Sequence, residues 1–489
     1  MWKKLYFICC CLICFSAKAD VLPSNKFKTG YATVSGQLLS PASTTDTLRF
    51  ELVTSLTDFN LYTASIGQNG QFSIQVPLGT ERQIGAYSLF RNNRRTASGM
   101  LLLDQTADVF VKIAGKDGGD TVMVQDKLPF APQDFHYITR ALGNFEEAHT
   151  FSVTARHYQL PYSDYLKFEL DSVLPDRIKA SLSNYPLSTP AREWLVSSFQ
   201  TRYIAGRLFY YQKDASRKTG TTVKEPPLGY YSFLKRFDLN NPKRLYDLNI
   251  NAFLNRFLSI EAFQIPPIGE TPVTQWMEQV SGRIKEVVGF ESGIFYEWLA
   301  TASYLQQLDD QKQPLSDKQL KVIKNCPARY ADMRKTLLAK NERLLQELHK
   351  NKDLYLGTLP ADTVRLIERI LSRHPGKPVV IDIWGTWCQP CMMAHQQMEH
   401  TVQELKKQGV VFVYLADEGS PRALWKGKIK GIGGEHYYLN RQQAQALYRT
   451  IGLEGFPTYL IYDRKHNLQH HITGFPGVET LKRYIEEVH

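Results

Sequence analysis

Val379-Val380-Ile381-Asp382-Ile383-Trp384-Gly385-Thr386-Trp387-Cys388-Gln389-Pro390-Cys391 reads as a strand that runs directly into a helix. Val379 to Ile383 is apolar enough for a central strand, and Pro390 to Lys407 follows with helical character. Pro390 is tolerated at that position because first-turn N–H groups have no intrahelical acceptor. Cys388 then stands at a helix N-terminus, where unpaired N–H groups and the macrodipole stabilise a thiolate. Cys391 is one turn further on and can close a disulfide with it. Since the thiolate is the nucleophile of disulfide exchange, the spacing supplies attack and release within a single turn. The carboxylate of Asp382 is out of place in a strand this apolar.

Downstream, Val410 to Leu415 reads as the next strand and Arg441 to Thr450 as a helix. Thr458 to Tyr462 and Leu468 to Thr473 flank an Arg464-Lys465-His466-Asn467 turn, and Val478 to Val488 closes as a helix. Strand and helix alternating in this order predict a helix-covered mixed sheet. A zinc site is the competing reading, because Cys388, Cys391, His395 and His400 offer four ligands in sequence. No loop separates the two pairs and all four fall on one helix, so no metal is expected.

With Gly455-Phe456-Pro457-Thr458 further along the chain, these motifs resemble the thioredoxin superfamily. The Trp-Cys-x-Pro-Cys form on an exported chain is similar to the TlpA/ResA-like periplasmic thiol–disulfide oxidoreductases. The resemblance covers residues 355–489 only. It implies that Cys388 attacks, that Cys391 resolves, and that Asp382 exchanges the proton of the resolving cysteine. It also implies a cis peptide at Pro457, and substrate contacts from Trp387, Pro390, Phe456 and Pro457. Trp384 is expected to pack around the site, and Gly474 matches the family's glycine beyond the hairpin. Two features depart from the pattern. Ala394 and Gln396 stand where relatives often carry Glu and Pro, and the strand from Val410 to Ala416 has no lysine to pair with Asp382.

Upstream, residues 20–128 carry short β-prone runs such as Thr33 to Leu39 and Leu48 to Val53, separated by turns such as Asn69-Gly70. Phe72, Ile74 and Val76 alternate with polar residues, and so do Val109, Val111 and Ile113, which predicts a β-sandwich-like domain. Residues 129–354 read as helical. Ser316-Asp317-Lys318-Gln319 is a capping-box start, and Leu337, Leu338, Leu344, Leu345 and Leu348 form a stripe. Lys213 to Pro227 is expected as a polar loop. The runs Phe209-Tyr210-Tyr211 and Tyr230-Tyr231-Ser232-Phe233 are expected in the core rather than in a binding groove. The fold expected is thus multidomain α+β: a β-sandwich-like domain, a helical middle domain and a C-terminal thioredoxin-like α/β domain.

Residues 1–19 combine Lys3 and Lys4, an apolar run from Leu5 to Phe15, and Ala17 and Ala19 at signal-peptidase spacing. This predicts a cleaved secretory signal too short to span a bilayer, in preference to a lipid anchor. Cleavage removes four of the 7 cysteines and leaves Cys326, Cys388 and Cys391. Cys326 has no partner nearby and is expected as a buried bystander. At roughly 100–200 residues per domain, 489 residues imply two to four domains. A composition of 43% hydrophobic and 22% charged residues excludes disorder and a multi-span membrane protein. The net charge of +11 comes without a dense Lys/Arg run, which argues against nucleic acid.

The expected function is exported, periplasmic reduction of disulfide-containing client proteins, without a cofactor and with a membrane electron donor for re-reduction. The alternative is a partner- or polymer-binding protein with a secondary redox domain. A thiol peroxidase is disfavoured, because the Pro-x-x-x-Thr-x-x-Cys pattern is absent.

Overall fold

The computed structural model describes residues 21–488 apart from 40–45, 53–59, 92–93, 117–118, 148–152, 351–353 and 359–364. The leader expected at residues 1–19 therefore lies outside the described residues. Eight N-terminal strands follow: β1 (Phe27–Leu38), β2 (Thr47–Leu52), β3 (Asn60–Ser65), β4 (Gln71–Thr80), β5 (Arg82–Arg91), β6 (Arg94–Asp104), β7 (Val109–Lys116) and β8 (Gly119–Gln125). They form two four-stranded sheets, ordered β4-β1-β7-β8 and β3-β2-β5-β6. The alternating side chains Val34, Phe72, Val76, Val109, Val111 and Ile113 meet Leu48, Phe50, Leu89 and Leu101 in one core. Asn69-Gly70 connects β3 to β4, which belong to different sheets, so this turn crosses the sandwich and does not close a hairpin. Gly70 has φ +78°, and a Cβ there would lie 2.2 Å from the Leu38 carbonyl oxygen.

The middle region is helical and shares its core with the sandwich edge: Leu22, Phe27, Ile84 and Leu102 pack with Trp298 and its neighbours. Phe209, Tyr211, Tyr230, Tyr231 and Phe233 are all buried within that core. Ser316 caps the helix Asp317–Lys324, with both bonds of the capping box to Gln319 formed. The polar loop expected over 213–227 is a correction. Residues up to Thr219 belong to the helix Tyr211–Thr219, because Tyr211 and Ala215 anchor one face in the core. Gly220, at φ +70°, ends that helix.

The C-terminal sheet holds β9 (Tyr355–Leu356), β10 (Val379–Ile383), β11 (Val411–Asp417), β12 (Glu435–Leu439), β13 (Thr458–Tyr462) and β14 (Leu468–Thr473), in the order β14-β13-β10-β11-β12-β9. β10 lies parallel to β11 and antiparallel to β13, so the sheet is mixed. One face is covered by the helices Gln389–Lys407 and Val478–Glu486, the other by Leu366–Leu371 and Arg441–Ile451. The helix Arg422–Ile432 and strand β12 are absent from the order expected from sequence. Both are masked there by polar and glycine residues that tertiary contacts bury, including Lys428, Glu435 and His436. No described helix is long and apolar enough to cross a membrane.

The helix Arg422–Ile432 carries the seam with the middle domain. Lys428 Nζ lies 3.2 Å from Asp310 Oδ1 and 3.3 Å from the Asp309 carbonyl oxygen. Gly427 lets the backbones approach, since a Cβ there would sit 2.2 Å from the Asp310 carbonyl oxygen. Gly427→Val is therefore expected to weaken docking of the C-terminal domain by about 1–3 kcal/mol. Calorimetry should then show a separate, earlier transition for that domain, and an unchanged thermogram would refute the close contact. Gly431→Ala should be milder, because the atom it meets is the end of the Glu347 side chain.

Candidate active site

The strand β10 delivers the chain to the helix Gln389–Lys407 at the edge of the sheet's middle, and Cys388 is the N-cap of that helix. Its Sγ accepts the Cys391 N–H at 3.2 Å, a first-turn donor that also reaches the Cys388 carbonyl oxygen at 3.1 Å. Pro390 occupies the first turn without displacing a bond. Cys388 and Cys391 are joined as a disulfide, with Cα atoms 5.3 Å apart. Cys391 is fully buried and Cys388 is 4% exposed, whereas Trp387 is 58% exposed beside them. The Trp387 indole meets the Phe456 ring edge-on at 5.1 Å. Gly385 is required beneath it, because a Cβ there would lie 2.8 Å from the indole nitrogen. The Thr386 N–H donates to Ser420 Oγ at 3.0 Å, which ties the turn before Cys388 to the loop that follows β11.

The Phe456–Pro457 peptide is cis. The Gly474 N–H donates to the Pro457 carbonyl at 2.8 Å, and Gly474 has φ +83°. The turn carrying Phe456 and Pro457 is thereby bound to the end of the β13–β14 hairpin.

Asp382 is in register with Tyr414 on β11 and Tyr459 on β13. Residues opposite one another on paired strands share a face, so the carboxylate lies between two tyrosines beneath the site helix. Burial, with the Asp382 charge second, pushes the Tyr459 phenol well above its ordinary value. That hydroxyl stays protonated. Trp384 is fully buried in the same cluster as both cysteines.

The partner of Asp382 comes from the helix, not from β11. His395 Nε2 lies 2.8 Å from Asp382 Oδ2, and its ring stands edge-on to Trp384 at 5.0 Å and to Tyr414 at 5.4 Å. Sequence reading placed His395 only in a hypothetical zinc set. The signal that could have found its role is its spacing: four residues after Cys391 puts it on the same helix face, turned to the sheet. The zinc set does not converge. His395 is spent on Asp382, while the His400 side chain is 84% exposed beside Glu404. Among the described residues no three His, Cys, Asp or Glu side chains gather as a metal site. Cys326 lies elsewhere, buried and free, its Sγ 3.6 Å from the Val322 carbonyl. Burial raises its thiol above the ordinary value, with Arg334 opposing.

A disulfide at a helix N-terminus above a buried acid and beside a cis-proline turn is the arrangement of a thioredoxin-like domain. Residues 376–468 match a protein family described as thioredoxin-like, and the C-terminal domain of this chain is a thioredoxin-like domain. The thiol-disulfide oxidoreductase ResA of Geobacillus kaustophilus is 28% identical over 121 residues, which are 25% of this chain and 68% of that protein. The thiol:disulfide interchange protein DsbE of Haemophilus influenzae is 29% identical over 102 residues, 20% of this chain and 52% of that protein. Among solved structures, a thiol:disulfide interchange protein of the thioredoxin family from Chlorobium tepidum TLS aligns at 21% identity. That alignment covers 24% of this chain and 83% of the other, with a TM-score of 0.22.

Proposed function

We propose that this protein is an exported thiol–disulfide oxidoreductase that reduces disulfides in client proteins. The observation that carries this reading is the Cys388–Cys391 pair at the head of the site helix, with a backbone N–H directed at Cys388 Sγ. In the reduced protein the Cys388 thiolate attacks a client disulfide, so one client sulfur leaves as thiolate and a Cys388–client bond forms. Cys391 gives its proton to Asp382, attacks Cys388 Sγ, and releases the second client sulfur with its electron pair. The client has gained two electrons and the protein holds the disulfide. A membrane electron donor then restores the pair by returning two electrons and two protons to it.

Trp387, Phe456, Pro390 and Pro457 serve as the client contact. The exposed indole backed by Phe456 offers an apolar surface next to Cys388, and the turn at Pro457 supplies backbone groups for an extended segment. Similarity to ResA and DsbE supports the reaction class. The leader-like segment before Asp20 supports export into an oxidising compartment, where a reductant must be supplied from outside.

Insulin reduction with dithiothreitol tests the reading. The wild type is expected to accelerate B-chain precipitation, and Cys388→Ser to leave it at the rate of dithiothreitol alone. Equal acceleration by both proteins would sink the proposal. The reduction potential of the pair tests direction: a value near about −270 mV fits a reductase, and one near about −120 mV would make the protein an oxidant.

A further inference from the structure

The carboxylate of Asp382 is engaged on one side only. Oδ2 takes the His395 contact, while Oδ1 is buried with no hydrogen-bond partner among the described residues, and the same holds for His395 Nδ1. Because a carboxylate only accepts, the hydrogen bond to Oδ2 is donated by His395 Nε2–H. The Asp382 and His395 side chains are 5% and 9% exposed. Both line a cavity of about 540 Å³, which Lys340, Arg343 and Leu344 of the helix Ala331–Lys350 in the middle region line as well.

We propose that His395 is the positioning residue for Asp382. It holds Oδ2, turns Oδ1 into the one oxygen open to the Cys391 proton, and lets that proton leave through the interdomain cavity. The inference rests on the reading of Cys391 as the resolving cysteine and Asp382 as its base. In the step, the Cys391 S–H bond breaks and an Asp382 O–H bond forms. The Cys391 thiolate bonds to Cys388 Sγ while the Cys388–client bond breaks, and the client sulfur leaves with the electron pair. Asp382 then loses the proton to water and returns to its place on His395. The imidazole thereby does what a lysine on β11 cannot do here, because position 414 on that strand is tyrosine.

The test uses the reduced full chain and 5,5′-dithiobis(2-nitrobenzoate), which reports both steps by colour. Attack by Cys388 releases the first thionitrobenzoate, and resolution by Cys391 releases the second. His395→Leu keeps an apolar helix face and is expected to slow the second phase by about tenfold with the first unchanged. His395→Gln, which still presents an N–H, should recover most of the rate. In an Asp382→Asn background, His395→Leu should add nothing. A second phase untouched by His395→Leu, a glutamine no better than leucine, or an equal loss in the Asn background would each overturn the proposal. If Asp382→Asn alone left the second phase unchanged, the underlying assignment of Asp382 would fall first, and that result is distinguishable from failure at His395.

Discussion

Cys391→Ala is expected to leave the first exchange intact and to stop the cycle there. The reduced variant, mixed with a disulfide-bonded client and no small thiol, should accumulate a covalent adduct through Cys388 that survives on a non-reducing gel. In the wild type the second thiol attacks from one turn away, and its effective concentration far exceeds that of any added thiol. The loss in client release is therefore expected to be on the order of 10³-fold. Cys326 does not confuse the result, since it is buried and its thiol is pushed up, which keeps it out of exchange. Recovery of only non-covalent partners would favour the binding-protein reading of this chain. An adduct through Cys326 would contradict the site itself.

Asp382→Asn should produce the second largest effect. The amide has the same shape, and its carbonyl can still receive the His395 N–H, so the local geometry survives. It cannot take a proton from Cys391. Burial disfavours the thiolate that must attack, and with the base removed resolution is expected to slow by about 10²-fold while attack keeps its rate. The two phases of thionitrobenzoate release measure this directly, and a second phase as fast as the wild type's would refute a proton-transfer role. Folding stability should change little, because the amide keeps the shape of the side chain and an acceptor for His395. A large fall in the denaturation midpoint would mean that Asp382 serves the fold and not the chemistry.

The paired cysteines, the proline between them and the flanking tryptophans were legible because they lie within one strand-to-helix turn. There local rules act alone: cap position, spacing and the first-turn tolerance for proline. Four strands of the sandwich, β1, β2, β4 and β7, were legible as short β-prone runs, with alternating apolar residues in β4 and β7. Strands β10, β11 and β13 were legible as short apolar runs that the fold buries almost throughout. The helix Arg422–Ile432 was not. It reads as a run of lysines and glycines, and it is held by Lys428 reaching Asp310 and by Gly427 meeting a backbone over a hundred residues away. β12 was missed because Glu435 and His436 look like surface residues. In the structure they are buried, with Glu435 bound by His374 and Tyr437, and His436 stacked on Tyr414.

By itself the sequence determined which groups are available at the site: a thiol pair one helical turn apart, a carboxylate within an apolar strand, and a Phe-Pro turn far along the chain. Those properties depend on residue type and on neighbours within a few positions. Only the tertiary structure decided what the carboxylate faces. Sheet register puts Asp382 between Tyr414 and Tyr459, and the docking of the site helix lowers His395 onto it. The middle domain then closes a cavity over both. Contacts of that kind are set by how separate elements pack, because a buried charge selects whichever partner the assembled core brings within 3 Å, and no local pattern names that partner.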